Sequence, residues 1–408
     1  MTTPTPGKSK ARSVVLVTVS GKDAPGITST LTGVLAESKV TIIDIGQAVI
    51  HNLLSLSILF ESPGTVDNAP IKNLLFKAAE LGLKLEFQVL DGKSLENGDY
   101  APKAYRYAVT LISEQITAQA LHQVTAIMAK YSVNIDIIER LSDGEFSCVE
   151  MLVSSSAALD RRALKTDLLA IAKKQEVDIA LQAEGLYRRA KRLVVFDMDS
   201  TLIQSEVIDE FAREKGVYDE VSAITQSAMK GKLNFDESLI RRCEKLKGLT
   251  TDDIEKVFRR IELTAGASDL IRVLKKLGYK VALISGGFTC IADRLKEQLG
   301  IDYAYANVLE IVDGRLTGKV GQPIVNAQRK ADLLEVIAQQ EKIHLDQVIA
   351  IGDGANDLLM LERAGLGIAF NAKPVVRERA DLSISQKNLR SILYLLGISG
   401  RDLAEVLA

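Results

Sequence analysis

Asp197 and Asp199 hold alternate positions directly after the apolar run Leu193–Phe196, in the stretch Asp197-Met198-Asp199-Ser200-Thr201. Two carboxylates so placed repel each other unless a cation lies between or beside them, so the pair implies a metal or a phosphoryl-transfer role. A second acidic turn, Gly352-Asp353-Gly354-Ala355-Asn356-Asp357, follows the apolar run 347–351. Hard oxygen donors on a glycine-rich turn suit Mg²⁺, which prefers carboxylates, carbonyls and retained waters. Between the two, the run 280–284 leads into Ser285-Gly286-Gly287. Its hydroxyl and N–H groups can cradle phosphate oxygens ahead of a helix, although taken alone Ser-Gly-Gly reads as a turn. Lys330 opens a helical stretch after the turn 326–329. There a fixed ammonium can neutralise a nucleophile and a phosphoryl group; taken alone it reads as a surface lysine.

The elements that must position these groups are strands followed by helices: 193–196, 280–284, 347–351 and 366–370, separated by helical stretches. Such alternation predicts a parallel sheet covered on both faces, with ligands at the carboxyl ends of the strands. All the motifs sit at strand ends or helix starts. Between the first two strands lies a mostly helical insert, about 206–262, too long for an ordinary crossover and placed as a lid over the site would be.

The run Asp-Met-Asp-Ser-Thr after Val-Val-Phe resembles the nucleophile motif of the haloacid dehalogenase superfamily, and its Ser-Thr ending favours the phosphoserine phosphatase branch. The other motifs follow in that family's order within about 160 residues. The resemblance implies that Asp197 is a nucleophile forming an aspartyl-phosphate. Mg²⁺ would bind its second oxygen, the backbone carbonyl of Asp199 and the side chain of Asp353. Asn356 and Asp357 would hold the metal's waters or surrounding residues. Asp199 would serve as general acid and then as base, while Ser285, the Gly286 N–H and Lys330 stabilise charge on the phosphoryl oxygens.

Specificity is expected from the insert. Glu206, seven residues after Asp199, can pair with an ammonium, and Arg242 can clamp a carboxylate bidentately, so together they suit a zwitterion. Arg241, its neighbour, is the alternative clamp. Met229 and Phe235, at the family's cap positions, would pack over the substrate and exclude water. The implied substrate is O-phospho-L-serine, in the last step of serine biosynthesis; another small phosphate such as phosphohomoserine is the alternative. An amino-acid-binding regulator with a relic catalytic domain is a third reading, opposed by the intact set Asp197, Asp199, Lys330 and Asp353.

The first half of the chain repeats one βαββαβ order: strand 13–20, a helix through Leu31, Val34 and Leu35, strands 41–50 and 53–60, helix 71–81 and strand 83–90. After a polar linker, 91–103, the order returns with strands at 105–112, 133–141, 146–154 and 177–181 and helices at 117–130 and 160–173. Each copy predicts a ferredoxin-like sheet with both helices on one face and edges open to another copy, hence a homodimer or higher homo-oligomer. The loop 21–26 leading straight into a helix resembles that of ACT domains, small amino-acid-sensing modules. Gly26 would admit a ligand's charged end to helix N–H groups, and Asp23 could receive an ammonium, which implies regulation by L-serine; a tight turn with an N-cap is the plainer reading. The second copy lacks the Pro-Gly pair. The expected domains are 12–91, 104–183 and 184–408, an α/β chain with a Rossmann-like parallel-sheet core, a helical cap and two ferredoxin-like modules ahead of it.

Composition excludes several classes. Lys plus Arg number 51 against 53 Asp plus Glu, with no basic block, so no nucleic-acid partner is expected. No tract approaches the ~18 apolar residues of a membrane span, and the polar start, 1–12, lacks a signal-peptide core, so a cytoplasmic protein is expected. Cys148, Cys243 and Cys290 are scattered and read as buried small hydrophobes, and His51, His122 and His344 lie away from every motif.

Overall fold

The computed structural model describes residues 13–62, 69–90, 105–143 and 146–407. The expected linker at 91–103 and the outer domain ends at 12, 91, 104 and 408 lie outside these residues. The chain divides into two compact units, Met1–Pro102 and Lys103–Ala408.

In the first unit, β1 (Ser13–Lys22), α1 (Ile27–Glu37), β2 (Thr41–Ile50), β3 (Leu53–Ser62), α2 (Ala69–Glu80) and β4 (Lys84–Leu90) follow the expected order. They form an antiparallel sheet ordered β2-β3-β1-β4. Val15, Val17 and Val19 alternate inward from β1 onto Leu31, Leu35 and Leu74 of the helices, which is the period of a half-buried strand. Every residue of the edge strand β2 is exposed. Gly26 caps α1 at φ 94°, a conformation that costs other residues strain.

The second unit opens with a repeat of that order: β5 (Tyr105–Ser113), α3 (Ala118–Lys130), β6 (Asn134–Asp143), β7 (Ser147–Ser155), α4 (Arg161–Gln175) and β8 (Asp178–Ala183). The sheet order is β6-β7-β5-β8. Here the sheet face away from the helices is not open. Ile112, Cys148 and Ala180 on that face share one core with the catalytic domain.

That domain begins with β9 (Leu193–Phe196), four consecutive buried apolar residues, as befits a central parallel strand covered on both faces. A cap of four helices follows, α5 (Val207–Lys215), α6 (Tyr218–Met229), α7 (Phe235–Lys245) and α8 (Thr251–Arg260), in the region expected for the insert. The chain returns through α9 (Ala267–Lys276) to β10 (Lys280–Phe288), α10 (Thr289–Leu299) and β11 (Tyr303–Asn307). A hairpin, β12 (Leu309–Val312) and β13 (Arg315–Val320), reaches the cap, where Leu316 exchanges backbone hydrogen bonds with Gly248 and Leu249. Then come α11 (Ala327–Gln340), β14 (Val348–Gly352), α12 (Leu358–Arg363), β15 (Leu366–Phe370), α13 (Pro374–Arg379), β16 (Leu382–Ile384), α14 (Ser391–Leu395) and α15 (Gly400–Leu407). The sheet is six-stranded, β11-β10-β9-β14-β15-β16. The two edge strands were not among the four expected: Tyr-Ala-Tyr-Ala-Asn and Leu-Ser-Ile are too short or too mixed to show a strand period on their own. One further expectation is corrected. Cys148 and Cys243 are buried, but Cys290 is only half-buried, since the second position of α10 turns part of its surface outward.

Polar contacts fasten the second ferredoxin-like domain to the catalytic one. The buried Asp178 carboxylate accepts the backbone N–H groups of Ser385 (2.9 Å) and Gln386 (3.2 Å) and the Ser385 hydroxyl (2.7 Å). Glu150 on β7 takes both guanidinium nitrogens of Arg188, at 2.9 and 3.1 Å, with both side chains 2% exposed. Removing one partner of such a pair strands the other charge, whereas Glu184 still holds Arg188. Glu150→Ala should therefore cost about 3 kcal/mol, the low end for a broken buried pair, in urea unfolding of the full chain. A loss under about 1 kcal/mol would show that the pair does not stabilise the seam.

Candidate active site

Asp197 follows the last residue of β9, and its backbone N–H donates to Ile351 O on β14 at 2.9 Å, which locks the two acid-bearing strand ends side by side. The next turn, Met198–Leu202, holds Ser200 in the left-handed region at φ 57°. Strain of this kind costs roughly 1–3 kcal/mol and persists only where the surroundings enforce it. Here Ser200 Oγ donates to Glu206 Oε1 at 2.8 Å, and the Val207 N–H at the start of α5 donates to Asp199 Oδ1 at 3.3 Å. The turn is thus tied to the first helix of the cap.

Lys330 is completely buried. Its ammonium donates to Asp197 Oδ1 at 2.6 Å and Asp357 Oδ1 at 2.7 Å. Asn326 caps the helix that carries it, its side-chain oxygen accepting the Arg329 N–H at 3.1 Å. Asp357 also accepts the Gly354 N–H at 2.9 Å, and a Cβ on Gly352 would lie 2.6 Å from its carboxylate, so that glycine leaves the only room for it. Asp353 accepts the Thr201 hydroxyl at 3.3 Å. Carboxylate oxygens of Asp197, Asp353 and Asp357 lie within 4.8 Å of one another. Asp357 was expected outside the metal's own ligands; it joins this cluster, but with both oxygens already engaged by Lys330 and Gly354.

The electrostatics of the two ion-pair partners point in different directions. Burial opposes the charge on Lys330, but Asp197 and Asp357 outweigh it and hold the ammonium above the ordinary lysine pKa. Asp197 nevertheless titrates well above the usual carboxylate range, through burial first and Asp357 next. Burial and then Asp357 push Asp353 up to about 7, and burial, then Glu206, lifts Asp199 well above the usual carboxylate range. One ammonium cannot compensate this many carboxylates, so the site demands protons or a further cation. A hard divalent cation fits the donor set, which is all oxygen.

The phosphate-sized end of the site is made by β10. Ser285 is buried and its Oγ accepts the Gly287 N–H at 2.8 Å, which leaves its own O–H to donate. A Cβ on Gly287 would lie 2.6 Å from Met198 and 2.9 Å from Asp199, so no larger residue fits against the turn that follows β9. Asn307, at the end of β11, bridges the loop: its amide donates to Gly286 O at 2.9 Å and its oxygen accepts the Val325 N–H at 2.8 Å. Nothing in the sequence singles this asparagine out.

A cavity of about 470 Å³ opens over these groups. It brings together Asp197, Asp199, Ser285, Gly286, Asp353 and Asn356 from the catalytic domain with Glu206, Met229, Phe235 and Arg242 from the cap. Lys330 and Asp357 lie beneath its floor. Arg242 is half-buried in its wall, with Nε donating to Ser238 O at 3.3 Å, while Arg241 is exposed and does not line it. Met229 was expected to shield the substrate; at 68% exposed it stands at the mouth and excludes little water. Lys373 also lines the cavity and was not anticipated, being a lone lysine in a loop. Asp23 and Gly26 belong to the first unit. Asp23 is exposed, with its backbone N–H donating to Asn52 O at 2.8 Å.

The haloacid dehalogenase-like hydrolase family matches residues 191–365, and two ACT-domain families match 13–88 and 106–182. A phosphoserine phosphatase from Streptomyces coelicolor is 45% identical over 95% of this chain and 93% of its own length. The chain belongs to the phosphoserine phosphatase family. A relative of that name from Mycobacterium tuberculosis is 41% identical over 95% of this chain and 94% of its own. Among solved structures, a haloacid dehalogenase-family hydrolase from Salmonella enterica serovar Typhi covers 71% of the chain and 98% of its own at 33% identity and a TM-score of 0.64. A probable phosphoserine phosphatase from Vibrio cholerae covers 73% of the chain and 88% of its own at 34% identity and a TM-score of 0.58. No helix among the described residues is long and apolar enough to cross a membrane.

The raised carboxylates set the pH dependence of cation binding. A divalent cation binds the charged form, and Asp353 holds its proton below about pH 7, so binding releases protons and weakens as pH falls through that value. Titration calorimetry with Mg²⁺ at pH 6 and pH 8 should show tighter binding at pH 8 and proton release at pH 6. Equal affinity at both would mean that these carboxylates do not take the ion.

Proposed function

We propose that the chain hydrolyses O-phospho-L-serine to L-serine and phosphate through an aspartyl-phosphate on Asp197. The observation that carries this reading is the single cavity in which the nucleophile pair and the phosphate cradle face a carboxylate and a guanidinium of the cap. A zwitterion of this size meets both cap groups: its ammonium Glu206, its carboxylate Arg242. Ser285 O–H and the Gly286 N–H hold the phosphoryl oxygens. Lys330, fixed against Asp197, favours the charged form of the nucleophile and orients it. Mg²⁺, held by the side chains of Asp197 and Asp353 and the Asp199 carbonyl, would supply positive charge to the phosphoryl oxygens. Asn356 and Asp357 support those ligands.

The chemistry follows in two displacements. An Asp197 oxygen attacks phosphorus, the bond from phosphorus to the serine oxygen breaks, and Asp199 gives its proton to that oxygen. Its pKa is raised, by burial and then by Glu206, in the direction a proton donor needs. Asp199 then takes a proton from water as the water attacks phosphorus, and the bond to Asp197 breaks to release phosphate. Phe235, whose ring would lie 3.0 Å from a Cβ on Gly286, packs the cap onto the cradle.

Steady-state hydrolysis with three variants tests the reading. Asp197→Asn should lower kcat by about a thousandfold or more, since it removes the nucleophilic charge and keeps the shape. Arg242→Lys should lower kcat/KM for phosphoserine roughly tenfold or more, through loss of the bidentate fork, and change that for p-nitrophenyl phosphate little. Arg241→Lys should change neither. Rapid turnover by an intact Asp197→Asn protein would sink the covalent route, and equal losses on both substrates would reassign Arg242.

We also propose that L-serine binds the first unit at Asp23 and the N-terminus of α1 and so reports product to the enzyme, in keeping with the ACT-domain match. Such regulation is a coupling between two sites, so serine must bind two protein states unequally. Because Gly26 sits at φ 94°, a side chain there would strain the backbone; the exposed Asp23 is the cleaner place to intervene. Asp23→Asn should abolish non-competitive inhibition by L-serine and leave uninhibited turnover unchanged. Inhibition that is competitive with phosphoserine and survives this variant would place serine at the active site instead.

A further inference from the structure

A second cavity, about 520 Å³ in volume, lies at the seam between the second ferredoxin-like domain and the catalytic domain. Its wall includes Arg161 at the start of α4, Gln182 on β8, Lys191 just ahead of β9, Asp346 just ahead of β14, and Asp381 after α13. It therefore abuts the amino-terminal ends of β9 and β14, the two strands whose other ends carry Asp197 and Asp353. None of its lining residues belongs to the active site.

Its polar groups are placed at a cost that nothing inside the protein repays. Lys191 is 7% exposed, and the one acceptor its ammonium meets among the described residues is Asp346 O at 2.6 Å. Two of its three N–H groups are left unspent. Burial lowers its pKa to about 8 in spite of Asp346 and Asp381, as for a cation short of counter-charge. The exposed Arg161 guanidinium makes no ion pair or hydrogen bond among the described residues, whereas Arg379 on the same wall is bound to Glu362. Two uncommitted cations remain, in a volume suited to a small molecule.

We propose that this cavity binds a small organic anion, a carboxylate or a phosphate monoester. The acid group bonds Lys191 and Arg161. Since both domains contribute to the wall, the ligand holds the second ferredoxin-like domain against the bases of the two acid-bearing strands.

The test uses the full chain and titration calorimetry with three probes: L-serine and D-glycerate for the carboxylate arm, phosphoglycolate for the phosphate arm. At least one probe should show a binding event that weakens tenfold or more in both Lys191→Met and Arg161→Ala. In the same variants kcat and KM for the phosphatase reaction should stay within twofold of the parent, because neither residue touches the active site. Lys191→Met removes the ammonium at similar length, and Arg161→Ala changes an exposed position, so a folding failure of the first leaves the second decisive. Binding of every probe at unchanged affinity in Arg161→Ala, or no binding by any probe in the parent chain, would overturn the proposal.

Discussion

A single buried ammonium organises the catalytic half of the molecule. Lys330 has no contact with water and two carboxylates at hydrogen-bond distance, so its desolvation is tolerable only while Asp197 and Asp357 stay where they are. That demand fixes the start of α11 against the ends of β9 and β14, and it explains the lack of a side chain at Gly352. Yet one positive charge does not balance the carboxylates gathered around it, and burial together with that imbalance raises Asp197, Asp199 and Asp353. A site built in this way calls for protons or a further cation.

The cap is coupled to this centre by few but direct contacts. Asn326 caps α11 with its oxygen and with its amide donates to the Asp236 carboxylate, at 3.2 Å, in the first turn of α7. The next residue back, Phe235, rests on Gly286. Ser200 and Asp199 tie the turn after β9 to Glu206 and Val207 at the start of α5. The residues expected to read the substrate are therefore joined through two or three hydrogen bonds to those expected to act on it, so movement of the cap must be felt at Lys330 and Asp199.

The two ferredoxin-like domains share an element order and differ in what their sheets face. In the first unit the edge strand β2 is exposed along its whole length. In the second, Ile112, Cys148 and Ala180 turn the corresponding sheet into part of the catalytic core, and Asp178, Glu150 and Arg188 supply polar fastenings. On that face Thr110 and Gln182 each keep a buried side-chain oxygen without a partner among the described residues. A duplicated fold has thus been put to two uses, one copy with an open face and one as a structural neighbour of the enzyme.

The sequence by itself determined what is local. Asp197, Asp199, Ser285, Gly286, Asp353 and Asn356 were legible because each sits within a few residues of a strand end, where the apolar run predicts the strand and the strand dictates where its end points. The repeated βαββαβ order was legible for the same reason, since strand and helix periods are short-range signals. Tertiary structure decided whatever depends on partners distant along the chain. Arg241 and Arg242 are equivalent as letters, and only the packing of α7 turns one into the cavity and the other to solvent. Asn307 gains meaning from Gly286 and Val325, Thr201 from Asp353, and Asn326 from Asp236, across separations of 18 to 152 residues. The edge strands β11 and β16 are strands because a neighbour pairs with them rather than because of any period of their own. The seam cavity around Lys191 and Gln182 exists only because two domains meet there, and no window of sequence contains both walls.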